Sequence, residues 1–113
     1  MLKLVLMLKN TEIKTIETDK ETITIGRSNN NDIHINNLGV SKAHAKITRQ
    51  NGSYVIEDLN STNGTLLNNE PITKAGLTGK DVVTIGKHTL FVSVQTGQSA
   101  TQGMSEATIK IAP

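Results

Sequence analysis

The sequence contains no cysteine and almost no aromatic residues, since Tyr54 and Phe91 are the only aromatic ones among its 113 residues. Without cysteine the chain forms no disulfide framework and no thiolate metal site, which is typical of proteins of the reducing cytoplasm. A core must therefore be built from isoleucine, leucine and valine. The abundance of β-branched residues favours strands over helices.

A strong charge of either sign and a long apolar run are also missing. Twelve lysines and arginines against ten aspartates and glutamates leave a net charge of +2, which is too small to indicate nucleic acid or an anionic membrane as a partner. The apolar residues 2–8 are about one strand long, and no small-residue cleavage pattern follows them. They are therefore expected to form the first strand rather than a membrane span or a signal peptide.

Short segments of alternating apolar and polar residues, separated by turn residues, fill residues 1–95. Turn signals recur about every 8 to 12 residues or closer, and no stretch shows the period of a helix. This pattern predicts a single all-β domain over residues 1–95, built as a sandwich. Residues 96–113 begin with a stretch that has no apolar side chain larger than alanine, which predicts a flexible C-terminal tail or linker.

Individual turns and strand pairings can also be predicted. Asn51-Gly52 is a typical two-residue hairpin turn, and residues 68–72 suggest a second hairpin with an Asn-Asn tip. The segments 12–17 and 22–26 are predicted to pair as a hairpin, and residues 74–80, which contain two glycines, are predicted to be a loop.

Three turns rich in hydrogen-bonding side chains, at residues 26–32, 39–44 and 60–65, interrupt this pattern. If the strands bring them to one end of the sandwich, five side chains converge on one small site: Arg27, Ser41, Lys42, Thr62 and Asn63. A guanidinium, an ammonium and two hydroxyls suit a phosphate group, which brings about −1.5 to −2 charges and three acceptor oxygens. The asparagine can donate to and accept from a peptide bond. The sequence therefore predicts a site for an anion carried on an extended chain.

Four short motifs, in this order and spacing, resemble the forkhead-associated (FHA) domain. The motifs are Gly26-Arg27, Asp32-Ile33, Ser41-Lys42-Ala43-His44-Ala45 and Ser61-Thr62-Asn63-Gly64-Thr65. The resemblance implies a sandwich of two mostly antiparallel sheets with about eleven short strands, whose loops at one end bind phosphothreonine peptides. It also implies a domain that has no catalytic activity and needs no cofactor or metal.

The resemblance further implies a role for each matching residue. The phosphate contacts fall on Arg27, Ser41, Lys42 and Thr62. Asn63 would hold the peptide backbone beside the phosphothreonine, whereas Gly26, His44 and Gly64 would be architectural. On the residue types alone, both glycines mark positions that need a positive φ, and His44 links loops by hydrogen bonds.

A domain of this kind implies a cytoplasmic signalling adaptor in a bacterial Ser/Thr kinase pathway, with phosphothreonine-containing kinase substrates as partners. The tail adds a second hypothesis, because Thr108, followed by Ile111 three residues later, and the nearer Thr101 are candidate phosphorylation sites. A phosphorylated tail would occupy the site of its own domain or of a neighbouring copy, which would produce self-association. The alternative is an unmodified linker to another domain.

Two other functions stay open from the residues alone. The first is an FHA-like scaffold that has lost phosphate recognition and binds a partner through a sheet face or its loops. The second is a small hydrolase that uses Ser41 or Thr62 with His44, although no acid stands at a convincing position to complete a triad. The three histidines fit no common zinc spacing, and Asp32 and Asp58 are expected to anchor loops.

Overall fold

The computed structural model describes residues 1–94, and the predicted tail with Thr101 and Thr108 lies outside the described residues. The described part of the chain contains eleven strands and no helix, which confirms the predicted all-β class. Within it, accordingly, no helix could span a membrane. The strands are β1 (Leu2–Leu8), β2 (Thr11–Thr18), β3 (Thr22–Gly26), β4 (Ile33–His34), β5 (Ala45–Gln50), β6 (Ser53–Asp58), β7 (Thr65–Leu67), β8 (Glu70–Ile72), β9 (Lys74–Gly76), β10 (Lys80–Ile85) and β11 (His88–Val94).

The strands form two sheets that enclose one core. The first sheet has the order β2-β1-β11-β10-β7-β8, and the second has the order β4-β3-β5-β6-β9. The short β4 runs parallel to β3. In contrast, β5, β6 and β11 each run antiparallel to both of their neighbours in the sheet. The predicted sandwich of two mostly antiparallel sheets is therefore confirmed.

The predicted hairpin between residues 12–17 and 22–26 is wrong. β2 pairs with β1 in the first sheet, whereas β3 pairs with β5 in the second sheet. The chain crosses from one sheet to the other between them. Both strands show the same two-residue alternation, and alternation fixes which side chains share a face without fixing which strand is the neighbour.

Alternate residues of the strands point into the core between the sheets. In β1, Leu2, Leu4 and Leu6 are buried, while the residues between them are partly exposed. In the second sheet Ile47 lies opposite Ile56, and both are fully buried. Burying an aliphatic side chain of this size contributes roughly 1.5–3 kcal/mol. The core thus supplies a rigid frame for the loops.

Two asparagine-containing hairpin turns have the predicted conformation. Asn51 and Gly52 have φ values of 52° and 82° and join β5 to β6, and Asn68 and Asn69, at 51° and 72°, join β7 to β8. A two-residue turn with positive φ at both positions matches the twist of the strands that it connects, and asparagine and glycine tolerate this conformation best. Both hairpin predictions are confirmed.

The loop predicted over residues 74–80 is partly wrong, because its first three residues form β9. Ala75 lies opposite Ile56, so β9 extends the second sheet at its edge. This short strand is held by backbone pairing and has a half-buried alanine as its least exposed residue. The sequence of such an edge strand does not alternate between apolar and polar residues, so the pattern did not predict a strand here.

The two ends of the sandwich have different roles. Leu2 lies opposite Val94, and Lys80 lies opposite Ser93 at the same end. At the other end, Gly86, in the turn between β10 and β11, packs beside Gly39 and Val40 of the β4–β5 loop. The polar turns predicted from the sequence gather at this second end.

Candidate functional site

Arg27 leaves the end of β3 and lies along the β4–β5 loop. Its backbone N–H donates to the Ser41 carbonyl at 2.9 Å, and its side-chain Nε donates to the Val40 carbonyl at 3.0 Å. These two bonds fix the direction of the guanidinium. Its terminal nitrogens make no hydrogen bond with any described residue, so they are available to an anionic ligand.

Ser41 and Thr62 connect the β4–β5 loop to the β6–β7 loop. The backbone N–H of Thr62 donates to Ser41 Oγ at 3.0 Å. Because this oxygen accepts from Thr62, the hydroxyl proton of Ser41 remains for another acceptor. The side chain of Thr62 is exposed beside it. Two hydroxyl-bearing residues from different loops are therefore in contact at the surface.

Asn63 is held by a single side-chain bond. Its Nδ2 donates to the Gly39 carbonyl at 2.9 Å, and Gly39 is itself fixed by the bond from its N–H to Asn37 Oδ1 at 2.8 Å. The side-chain carbonyl and the second N–H of Asn63 are left for a ligand. An amide presented in this way can pair with both groups of a peptide bond.

The structure brings four of the five predicted ligand-binding residues together. A small depression of about 100 Å³ is lined by Arg27, Leu38, Gly39, Val40, Ser41, Thr62 and Asn63. No carboxylate is among these residues, so the depression presents a cation, hydroxyls and an amide. The chemistry of this donor set suits a phosphate-sized anion.

Lys42 does not line this depression. It lines a neighbouring one of about 360 Å³, together with Thr24, Ser28, Asn30, Asn31 and Ala43. Its carbonyl accepts from the Ser28 N–H at 3.2 Å and from Asn31 Nδ2 at 2.8 Å, and these bonds hold Lys42 against the β3–β4 loop. Adjacent residues Ser41 and Lys42 thus border different depressions.

His44 is fully buried and joins the β4–β5 loop to the β6–β7 loop. The Ser41 N–H donates to its Nδ1 at 3.1 Å, and its Nε2 lies 2.9 Å from the Gly64 carbonyl. Because Nδ1 accepts a hydrogen bond, the ring carries its proton on Nε2 and donates it to Gly64. Both ring nitrogens are used by backbone groups, which leaves neither to act as a base towards the hydroxyl of Ser41 or Thr62.

Asp58 holds the β6–β7 loop in shape. It accepts from the Ser61 N–H at 3.0 Å, from the Ser61 hydroxyl and from the Thr65 hydroxyl at 2.6 Å. Burial works to raise the pKa of Asp58, but the hydrogen bonds from Ser61 and Thr65 outweigh it and leave the pKa below its ordinary value. The carboxylate is therefore ionised at neutral pH and anchors the loop, as expected from the sequence.

Asp32 plays the same part for the β3–β4 loop. The hydrogen bond from Lys20 and those from Thr24 lower the pKa of Asp32, and burial opposes them less strongly. The Thr24 N–H donates at 2.9 Å and its hydroxyl lies at 3.1 Å. The charge of this carboxylate is thereby balanced by Lys20.

The two glycines of the motifs differ in the reason for having no side chain. Gly64 has a φ of 83°, as predicted. The prediction of a positive φ at Gly26 is wrong, because Gly26 is absent from the left-handed region. A Cβ there would lie 2.2 Å from the Lys42 carbonyl oxygen, so the position needs glycine for a close approach of backbones.

A larger groove continues from the small depression and was not predicted. It has a volume of about 630 Å³ and shares Leu38, Gly39 and Asn63 with the depression, while Leu66 and Lys87 lie on its other parts. Leu38 is 91% exposed, although it is large and apolar. A leucine inside an asparagine- and glycine-rich loop is the one signal in the sequence that could have indicated this groove.

Curated relatives match about two thirds of the chain. An oxoglutarate dehydrogenase inhibitor of Corynebacterium diphtheriae is 42% identical over 72 residues, which are 64% of this chain and 50% of that protein. The glycogen accumulation regulator GarA of Mycolicibacterium smegmatis is 38% identical over 72 residues, which are 64% and 46% of the two chains. This chain therefore spans about half the length of the curated relatives it matches.

The fold is also similar to that of a solved FHA domain from a structural and functional analysis of phosphothreonine-dependent FHA domain interactions. The TM-score is 0.73 at 29% sequence identity, and the match covers 83% of this chain and 98% of the other. The sequence profile of the FHA domain matches residues 23–86, which include the three polar turns. The chain accordingly belongs to the FHA domain family.

Proposed function

We propose that this domain is a non-catalytic adaptor that binds phosphothreonine in partner proteins. The observation that carries the proposal is the depression in which Arg27, Ser41, Thr62 and Asn63 meet. These residues come from three separate loops, and each stands at a position of the FHA motifs. Their convergence at a surface would have no purpose in a scaffold that had lost phosphate recognition.

The charge balance of the depression supports a phosphate as the ligand. A phosphothreonine carries about −1.5 to −2 charges at neutral pH and three acceptor oxygens. The guanidinium of Arg27 supplies charge and directed donors, and the hydroxyls of Ser41 and Thr62 supply two further donors. Asn63 would then hold the backbone of the peptide beside the modified residue.

The loops are fixed before any ligand arrives. His44 ties the Ser41 N–H to the Gly64 carbonyl, and Asp58 holds Ser61 and Thr65. A site whose donors are already oriented loses less conformational entropy when it binds its ligand. The same bonds occupy both nitrogens of His44, which supports binding without catalysis and leaves the hydrolase hypothesis without a base.

The relatives suggest the kind of partner. One is an inhibitor of an enzyme and the other regulates glycogen accumulation, and both come from bacteria. We propose that this chain likewise acts in the cytoplasm of a bacterial cell, on proteins that a Ser/Thr kinase has phosphorylated. In this role the domain changes the activity or location of a partner by binding it.

The proposal includes a division of the chain into a domain at residues 1–95 and a tail at residues 96–113. Phosphorylation of Thr101 or Thr108 in this tail would provide the domain with a ligand on its own chain or on a second copy. Gel filtration before and after treatment with a Ser/Thr kinase tests this hypothesis. An unchanged elution volume with phosphorylation confirmed by mass spectrometry would leave the tail as a linker.

A titration of three peptides tests the central proposal. A phosphothreonine peptide, its phosphoserine counterpart and the unphosphorylated peptide are compared for binding to the wild type, to Arg27→Ala and to Arg49→Ala. Arg49 is exposed on β5 and lies at the opposite end of that strand from His44, so its replacement is a matched loss of charge. We expect binding that requires phosphothreonine, is lost in Arg27→Ala and is kept in Arg49→Ala.

Two results would overturn the proposal. Equal binding of the phosphorylated and unphosphorylated peptides would favour a scaffold that recognises its partner without phosphate. Equal loss in both arginine variants would show that the contribution of Arg27 is a general effect of positive charge on the domain.

A further inference from the structure

The depression at Lys42 is separate from the one at Arg27 and has its own set of donors. Lys42 is exposed and lines it together with Ser28 and Asn30. The side chains of Ser28 and Asn30 make no hydrogen bond with the described residues, so an ammonium, a hydroxyl and an amide are all available. Such a group of donors suits a second anion.

The carboxylate of Asp32, the acidic residue nearest to the site in sequence, does not neutralise the charge of Lys42. Asp32 follows Asn31 and is bound by Lys20 and Thr24, and it is not among the residues that line the depression. Asn31 uses its Nδ2 on the carbonyls of Ser28 and Lys42, at 2.8 Å each. The frame of the depression is therefore rigid, and its net charge comes from Lys42.

The two depressions are neighbours along both loops that form them. Arg27 and Ser41 border the smaller depression, and the next residue along each loop, Ser28 or Lys42, borders the depression at Lys42. The groove with Leu38 and Leu66 shares Leu38, Gly39 and Asn63 with the smaller depression and shares no lining residue with the depression at Lys42. A peptide with its phosphate beside Arg27 thus has Lys42 and the groove with Leu38 and Leu66 as two separate neighbouring surfaces.

We infer that Lys42, with Ser28 and Asn30, forms a second anion subsite that recognises an acidic or phosphorylated residue near the phosphothreonine on the same peptide. This inference rests on the proposed phosphothreonine binding. It replaces the predicted contact of Lys42 with the phosphothreonine itself. It also narrows the partners to proteins in which the modified threonine has a negatively charged residue close by on one side.

The size of the effect follows from the exposure of Lys42. An ion pair at a solvated surface contributes little, so one glutamate should raise the affinity about two- to fivefold. A second phosphorylated residue carries more charge and more acceptor oxygens and should raise it further. Both gains should shrink at high ionic strength because the pair is open to solvent.

The test uses a parent phosphothreonine peptide with alanine at the three positions on either side. Glutamate is placed at each of these positions in turn, and phosphoserine is placed at the position where glutamate helps most. Affinities are measured for the wild type, Lys42→Ala and Lys80→Ala. Lys80 is exposed at the end of β10 away from Gly86, so its variant loses the same charge far from the site.

We expect glutamate on one side of the phosphothreonine to raise the affinity of the peptide for the wild type and for Lys80→Ala. The same glutamate should leave the affinity for Lys42→Ala unchanged. The parent peptide should bind all three proteins equally. If Lys42→Ala weakens the parent peptide as much as the acidic ones, Lys42 contacts the phosphothreonine and the inference is overturned. The absence of any glutamate effect in the wild type also overturns it. Failure of the wild type to bind the parent peptide would instead refute the proposed function on which the inference rests.

Discussion

Thr62 N–H and Ser41 Oγ lie 3.0 Å apart in a hydrogen bond that crosses between two loops separated by 21 positions in sequence. Because the serine oxygen accepts this bond through a lone pair, it holds the β6–β7 loop, and in the proposed complex its proton would bind the phosphate. Thr62 makes the loop contact through its backbone, and in the proposed complex its side chain would contact the phosphate. The two residues therefore respond differently to truncation.

Ser41→Ala should lower both stability and affinity, whereas Thr62→Ala should lower affinity alone. The first variant leaves the Thr62 N–H without its partner, which costs about 0.5–1.5 kcal/mol of unfolding free energy. The second keeps the hydrogen bond of that N–H, so its unfolding free energy should lie within about 0.5 kcal/mol of that of the wild type. In the proposed complex each variant would lose a hydrogen bond to a charged phosphate, which corresponds to a roughly tenfold or greater loss of affinity. Urea unfolding and peptide titration measure the two quantities, and equal destabilisation by both variants would contradict the assignment.

Gly26→Ala should destabilise the domain because its new Cβ would lie 2.2 Å from the Lys42 carbonyl oxygen. Backbone must move to relieve this contact, and overpacking of this kind costs about 1–3 kcal/mol or more. Gly76→Ala is the matched control, since a Cβ there meets no atom of the described part of the chain within 4 Å and the φ of Gly76 is not positive. Thermal unfolding of both variants checks the prediction, which fails if Gly26→Ala is as stable as Gly76→Ala.

His88 should make the domain less stable in mild acid. It is buried, its Nδ1 has no hydrogen-bond partner within residues 1–94, and burial lowers its pKa from the ordinary value of 6.5. As the pH falls through that value, the unfolded chain takes up a proton that the folded chain does not, so the unfolding free energy decreases. We expect His88→Leu to lose less stability than the wild type between about pH 7 and about pH 5.

The control for this prediction is His34→Gln, which removes an exposed histidine and should keep the pH dependence of the wild type. Unfolding by urea at a series of pH values gives the slopes. A slope in His88→Leu as steep as in the wild type would show that other groups cause the acid sensitivity.

Leu38→Ser should affect ligand binding without affecting folding. Leu38 is 91% exposed, so its replacement should change the unfolding free energy by less than about 0.5 kcal/mol. It borders both the depression at Arg27 and the larger groove. A long phosphopeptide that reaches the groove should therefore bind more weakly, while a peptide cut just beyond the phosphothreonine should bind as before.

Ile13→Ser is the comparison for Leu38→Ser, because Ile13 is a half-exposed apolar residue on the edge strand β2. It should leave both peptides unaffected. Equal weakening of the long and the short peptide by Leu38→Ser would place the contribution of Leu38 at the phosphate rather than in the groove.

Local chemistry explains which features the sequence could predict. Positive φ at Asn51 and Asn68 and the anchoring role of Asp58 depend on residues a few positions away, so they are visible in short motifs. Residues distant in sequence decide which strand pairs with β2. They also decide which depression Lys42 borders. Gly26 shows the same limit, because its constraint comes from the carbonyl of Lys42 and not from its own turn.

The pairing of Leu2 with Val94 has a consequence for how such a domain can be used. The first described strand therefore begins beside the point where the last described strand ends, at the pole opposite the three polar loops. A fusion partner or a surface tether attached at this pole would leave the polar loops unobstructed. The same geometry makes this pole the suitable place for immobilising the domain in a binding assay.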